Sequence, residues 1–174
     1  MKWTIDPSHS TAEFSVRHMM ITNVKGRFGK LEGTVEYDPA RPELTTFEAT
    51  LDAASIDTRD EKRDAHLRSA DFFDVENHPK LTFTSKELKK TGDGFTAIGD
   101  LTMRGVTRTI TLEIEGPTEP NKDPWGNNRI GASAHAKINR KEWGLNWNAA
   151  LEAGGVLVGE TVKISLEVSL VQAK

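Results

Sequence analysis

Residues 130–138 read Ile130-Gly131-Ala132-Ser133-Ala134-His135-Ala136-Lys137-Ile138. Every second position is apolar: Ile130, Ala132, Ala134, Ala136 and Ile138. Side chains on a β-strand point to opposite faces in turn, so a period of two marks a strand with one face inward and one in water. Three successive alanines on the inward face are poor strand formers and fill little of a core.

The same period recurs on both sides of this stretch. Ala12, Phe14 and Val16 alternate with Glu13, Ser15 and Arg17, and Gly33–Tyr37 alternates until Asp38-Pro39 turns the chain. Phe47–Ala53, Leu81 through Leu88, Phe95–Ala97, Leu101–Met103, Thr109–Glu115 and Val162–Val168 follow, and Met1–Ile5 is also strand-like. Gly92-Asp93-Gly94 reads as a hairpin turn. About eight strands joined mostly by short turns predict an all-β fold, an eight-stranded antiparallel barrel whose closure removes its edges.

One segment breaks the rhythm. Asp57–Ser69 is dense in helix formers and charges, with Asp57 or Thr58 placed to cap it, and Phe72-Phe73 follows as an apolar anchor onto a barrel end. Met19–Val24 reads as a second short helical turn, so one or two short helices are expected at the barrel ends. Internal repeats, low-complexity tracts and linkers are lacking, which predicts one domain over residues 1–174.

Hydrophobic residues make up 36% and charged residues 28% of the 174, with a formal net charge of −3. That balance supplies no broad positive field, so nucleic acid is not an expected partner. With no cysteine, disulfides, thiol nucleophiles, Fe–S clusters and Cys-type zinc sites are excluded. No window is long and apolar enough for a spanning helix, and the N-terminal residues do not form a signal peptide. A cytoplasmic location is therefore expected, although a chain trimmed of its leader would read the same and belong in the periplasm or outside.

The histidines, His9, His18, His66, His78 and His135, follow no HxH, HxxxH or HExxH spacing, so no metal site is expected. Asp6-Pro7-Ser8-His9-Ser10 reads as a hydrogen-bonded bend that locks the first strand. Asp57, Asp60, Glu61 and Asp64 interleave with Arg59, Lys62, Arg63 and Arg68, as on a solvated helix. No nucleophile elbow or phosphate-binding loop occurs. No catalytic residue and no cofactor are assigned, and the chain is not expected to be an enzyme. A metal-dependent hydrolase using the histidines and a solid barrel acting as an interaction module are the alternative classes.

The inward face is rich in small residues: Ala12, Gly33, Ala49, Ala53, Ala97, Gly99, Ala132, Ala134 and Ala136. Two readings stay open. Either the lumen is hollow and takes an apolar guest, or Phe14, Phe83, Phe95, Trp143 and Trp147 fill it from the facing wall. Alternation picks Phe14, Val16, Ala49, Leu51, Phe83, Phe95, Ala97, Ala132, Ala134, Ala136 and Ile138 as lining. Trp125, Trp143 and Trp147 either line the pocket or cap a barrel end. Arg17, Arg27 and Arg104 are candidates for an anionic head group, Arg27 and Arg104 beside glycines at strand ends.

Several motifs in order resemble one family. They are Asp6-Pro7-Ser8-His9-Ser10 running into Phe14-Ser15-Val16-Arg17-His18, Val24-Lys25-Gly26-Arg27-Phe28, and His66 through Val75. Gly99-Asp100-Leu101-Thr102-Met103-Arg104-Gly105, Asn139-Arg140-Lys141-Glu142-Trp143-Gly144 and Val158-Gly159-Glu160-Thr161 complete the set. The chain resembles the YceI-like, polyisoprenoid-binding proteins. The resemblance implies a lipocalin-like barrel around a long isoprenoid tail, often as a homodimer. Polyprenyl phosphates, isoprenoid quinones, and fatty acids or fatty amides are the ligand classes it leaves open.

Overall fold

The alternating segments pair into one antiparallel sheet that closes on itself. In the computed structural model, which describes residues 1–152 and 154–174, the strands are β1 (Lys2–Ile5), β2 (Thr11–His18), β3 (Thr22–Phe28), β4 (Glu32–Glu36), β5 (Thr46–Asp52) and β6 (Lys80–Thr91). They continue as β7 (Gly94–Met103), β8 (Val106–Glu115), β9 (Asn121–Lys122), β10 (Asn128–Asn139) and β11 (Val158–Gln172). The ring runs β1, β4, β5, β6, β7, β8, β10, β11 and back to β1. It is the expected eight-stranded barrel, with the β2–β3 hairpin added against β11.

β11 is the seam of the closure. One side pairs with β10 from Asn139↔Thr161 to Arg129↔Val171. The other side is shared: β2 takes it between Val158 and Glu167, and β1 takes it at Leu170–Gln172. The change of partner falls at Asp6–Ser10, the expected bend. Asp6 N donates to Ser169 O at 2.9 Å, and Ser169 N donates to Ser10 Oγ at 3.0 Å. Arg129 ties this bend to the far loop, with Nη1 2.7 Å from Asp6 Oδ2 and Nε 2.8 Å from Asp123 Oδ2.

Between β3 and β6 the wall has no strand pairing, and residues 53–79 close it. Arg27 and Asp57 exchange backbone hydrogen bonds of 3.0 and 2.9 Å, and Ala53 N donates to Pro79 O at 2.9 Å. The helix α1 (Glu61–Arg68) lies in this excursion. Its N-cap is Asp60, whose Oδ1 accepts from Arg63 N at 3.0 Å, and not Asp57 or Thr58. Thr58 is instead buried, with its N–H and hydroxyl both given to the Asp64 carboxylate. Phe72 is buried at the barrel end, and Phe73 packs edge-on to Phe28 at 5.6 Å.

The helical reading of Met19–Val24 is corrected. Met19 and Met20 form a two-residue turn and Thr22 already begins β3. The β-branched Ile21, Thr22 and Val24 fit a pleated surface better than a helix. Phe95–Ala97 and Leu101–Met103 are one strand, because Gly99 and Asp100 keep their pairing with β6 and β8. Among the described residues no helix is long and apolar enough to cross a membrane.

Arg129 holds the carboxyls of both Asp6 and Asp123 well below the usual range, helped at Asp6 by Ser8 and His9 and at Asp123 by Asn127. In the unfolded chain both protonate near pH ~3.9. The folded state thus binds fewer protons there, and the stabilisation is complete above that pH and lost as pH falls below it. Arg129→Met should lower the thermal midpoint by a few degrees at pH 6, and the gap to the parent protein should narrow below pH ~4. Melting curves taken from pH 6 to pH 3 check this, and a gap that does not change with pH would contradict it.

Candidate functional site: two voids in the lumen

The inward rows do not fill the barrel evenly. A void of about 190 Å³ occupies the half nearer α1, and a second of about 130 Å³ occupies the other half. They share Leu31, Phe47, Ala49, Leu112 and Leu166, which form a waist between them. Both are walled almost wholly by aliphatic and aromatic side chains, so water finds few partners there. Together they reach the lower end of the ~300–1,000 Å³ usual for small-molecule sites.

Of the residues chosen by alternation, Phe14, Val16, Leu51, Phe83 and Ile138 border the larger void. Phe95, Ala132 and Ala134 border the smaller one, and Ala49 borders both. The remaining two, and Trp143, stand elsewhere. Ala97 is fully buried between Phe83 and Leu112 and borders neither void. Ala136 packs against that same cluster and also borders neither void. Trp143 is fully buried in the floor, where its Nε1 donates to Leu101 O at 2.9 Å.

Glycine positions explain where bulk is restored. A Cβ on Gly99 would lie 2.4 Å from Phe83 Cζ, and one on Gly26 would lie 2.3 Å from Phe14 Cζ. The space each glycine vacates is occupied by a ring from the neighbouring strand. Both readings of the small residues therefore apply, in different layers. Beside Gly26 and Gly99 the wall is filled, whereas around Ala49, Ala132 and Ala134 it stays open.

The larger void ends on a floor built from α1 and the chain after β10. His66 packs edge-on to Phe72 at 5.1 Å and to Trp147 at 4.6 Å, and its Nε2 lies 2.9 Å from Asp71 Oδ2. Trp147 belongs to this floor, whereas Trp125 is 78% exposed in the β9–β10 loop. Arg140 also borders the void, although the sequence reading passed over it. It continues the inward row of Ala134, Ala136 and Ile138, so alternation alone could have placed it there. Its Nε donates to Gly159 O at 2.8 Å, and its Nη atoms donate to Leu145, Trp147 and Val158 carbonyls. No carboxylate among the described residues lies within ion-pair distance, and burial pushes its pKa down.

The three head-group candidates are not gathered at one mouth. Arg17 is exposed near the β2–β3 turn with Nε on Met20 O at 3.3 Å. Arg27 lies on the outer wall, 3.9 Å from Asp57. Arg104, at φ 50°, donates to Ala70 O at 2.8 Å and to Gly144 O, clasping the floor. Among the described residues no three His, Asp or Glu side chains gather as a metal site. Asp6, Ser8 and His9 touch, but Ser8 Oγ and Asp6 Oδ2 meet the same His9 nitrogen, Nδ1. That arrangement holds a bend and has no relay through the ring.

A model of the YceI-like domain matches residues 3–170. The chain belongs to the YceI-like family. Among its relatives is a UPF0312 protein of Staphylococcus epidermidis, 38% identical over 165 residues that cover 93% of this chain and 92% of the relative. Two solved structures share the YceI-like fold. BcnA of Burkholderia cenocepacia aligns with a TM-score of 0.82 at 21% identity, over 95% of this chain and 98% of that one. A polyisoprenoid binding domain from Saccharophagus degradans aligns at 0.69 and 16% identity, over 98% of each chain.

The filled and open layers respond differently to added bulk. Ala97→Leu forces methylenes into occupied space and should cost about 1–3 kcal/mol. Ala49→Leu grows into the waist and should be neutral or stabilising. Denaturant unfolding of both variants checks this, and equal destabilisation would show the waist to be packed.

Proposed function

We propose that the barrel binds a long-chain isoprenoid lipid, a polyprenyl phosphate or an isoprenoid quinone, as a carrier or store. The observation that carries the reading is the pair of apolar voids meeting at Ala49 inside a closed wall. A void forfeits the dispersion contacts of its lining atoms, and an apolar guest restores them. Each CH₂-sized group buried contributes about 0.8 kcal/mol, so an isoprene unit yields roughly 3–4 kcal/mol gross. Several units offset the association and ordering costs, about 4–15 kcal/mol.

An acyl chain would gain from burial in the same way. The described function of the Saccharophagus degradans domain, polyisoprenoid binding, favours the isoprenoid. Binding without catalysis fits the site chemistry. Arg140, the cation bordering the larger void, spends its donors on main-chain carbonyls.

Mass spectrometry of an organic extract from the purified protein tests the reading. The parent protein should release an isoprenoid, and Ala134→Trp, which grows into the smaller void, should keep its fold by circular dichroism yet release little. A fatty acid or fatty amide in the extract would replace the ligand class. An empty extract, together with no uptake of added polyprenol, would overturn the proposal.

A further inference from the structure

The β2–β3 hairpin turns through His18-Met19-Met20-Ile21, closed by Ile21 N donating to His18 O at 3.2 Å. Both central residues are left-handed, Met19 at φ 51° and Met20 at φ 61°. A two-residue turn of this shape favours Asn-Gly, because a Cβ in that region crowds the following carbonyl. Two methionines are a conformationally poor choice.

Their side chains are not spent on the core either. Met19 is 46% exposed, Met20 55% and Ile21 71%, and Val156 on the facing loop is 40% exposed. That loop holds the turn directly. Met19 N donates to Leu157 O at 2.7 Å, and the Met20 sulfur sits where a Cβ on Gly155 would lie 1.9 Å away. A strained turn and a pinned loop thus present one apolar rim to solvent.

The rim adjoins the lining of the larger void. Val16, two residues before His18, borders it, and so does Val158, the cross-strand partner of His18. We propose that the rim is a bilayer-docking lip. Met19, Met20, Ile21 and Val156 enter the boundary between head groups and acyl chains, and a lipid passes between membrane and lumen beside them. This rests on the lipid-binding reading above. A guest held by apolar burial has almost no concentration in water, so a mouth that touches the bilayer removes the slow aqueous step. Methionine is unbranched and polarizable, which suits an irregular lipid surface. Arg17, exposed behind the tip, adds a cation toward anionic head groups.

The strain supplies the test. Met19→Asn combined with Met20→Gly gives the turn its favoured residues, so the thermal midpoint should hold or rise. Uptake of detergent-solubilised solanesol should match the parent protein. Transfer of solanesol from phosphatidylethanolamine–phosphatidylglycerol vesicles should slow by on the order of tenfold or more, and flotation with those vesicles should be lost. Ile21→Ser should lower transfer in the same direction.

Transfer at the parent rate would overturn the lip. So would a lowered midpoint, which would mean the methionines serve the fold. If the tip variants instead split a dimer in sedimentation and leave vesicle transfer unchanged, the rim covers a second copy and not a membrane. Failure of the parent protein to take up detergent-solubilised solanesol would sink the cavity reading first, and the lip with it.

Discussion

A ring of eight strands encloses a fixed lumen, and only the inward residues decide what fills it. In this protein the ring is held shut by β11, which serves β10 along one side and divides the other between β2 and β1. That arrangement needs the chain to break step at Asp6–Ser10, and the carboxylate of Asp6, paired to Arg129, fixes the break. With the wall fixed in this way, the shortage of side-chain volume near Ala49, Ala132 and Ala134 cannot be relieved by collapse. The space that results is apolar and bounded at one end by a dense floor.

The two ends of the lumen are built differently. Around α1 the floor packs Trp143, Phe72 and Leu145 against Ile138 and Met103, and Arg104 and Arg140 pin the loops with bonds to main-chain carbonyls. At the other end Trp3, Ile5, Ile130 and Leu170 form a separate cluster. Arg140 is a buried cation whose donors hold carbonyls of the chain after β10 and of the start of β11. Such a lumen discriminates by apolar area and shape.

Much of this was legible in the amino-acid order. The period of two located nearly every strand, and it also selected most of the residues that border the voids. It misplaced Ala97 and Ala136, because alternation gives the face and not the layer, and in their layer the rings of Phe83 and its neighbours occupy the space. The turn at Met19-Met20 was misread, since methionine is a good helix former and nothing local announces a left-handed pair. Arg140 went unnoticed because a charge at an inward position looks like the end of a strand. Two of its carbonyl partners, Leu145 and Trp147, are near in sequence, but Val158 and Gly159 reach it only across the turn into β11.

The central claim is that the closed wall leaves room for a greasy guest on both sides of Ala49. A crystal structure of the protein purified from cells without detergent tests it most directly. The account predicts elongated, continuous density running from beside Val16 and Ile138, past Ala49, to Ala134 and Phe95. A lumen occupied from end to end by the protein's own side chains would contradict it.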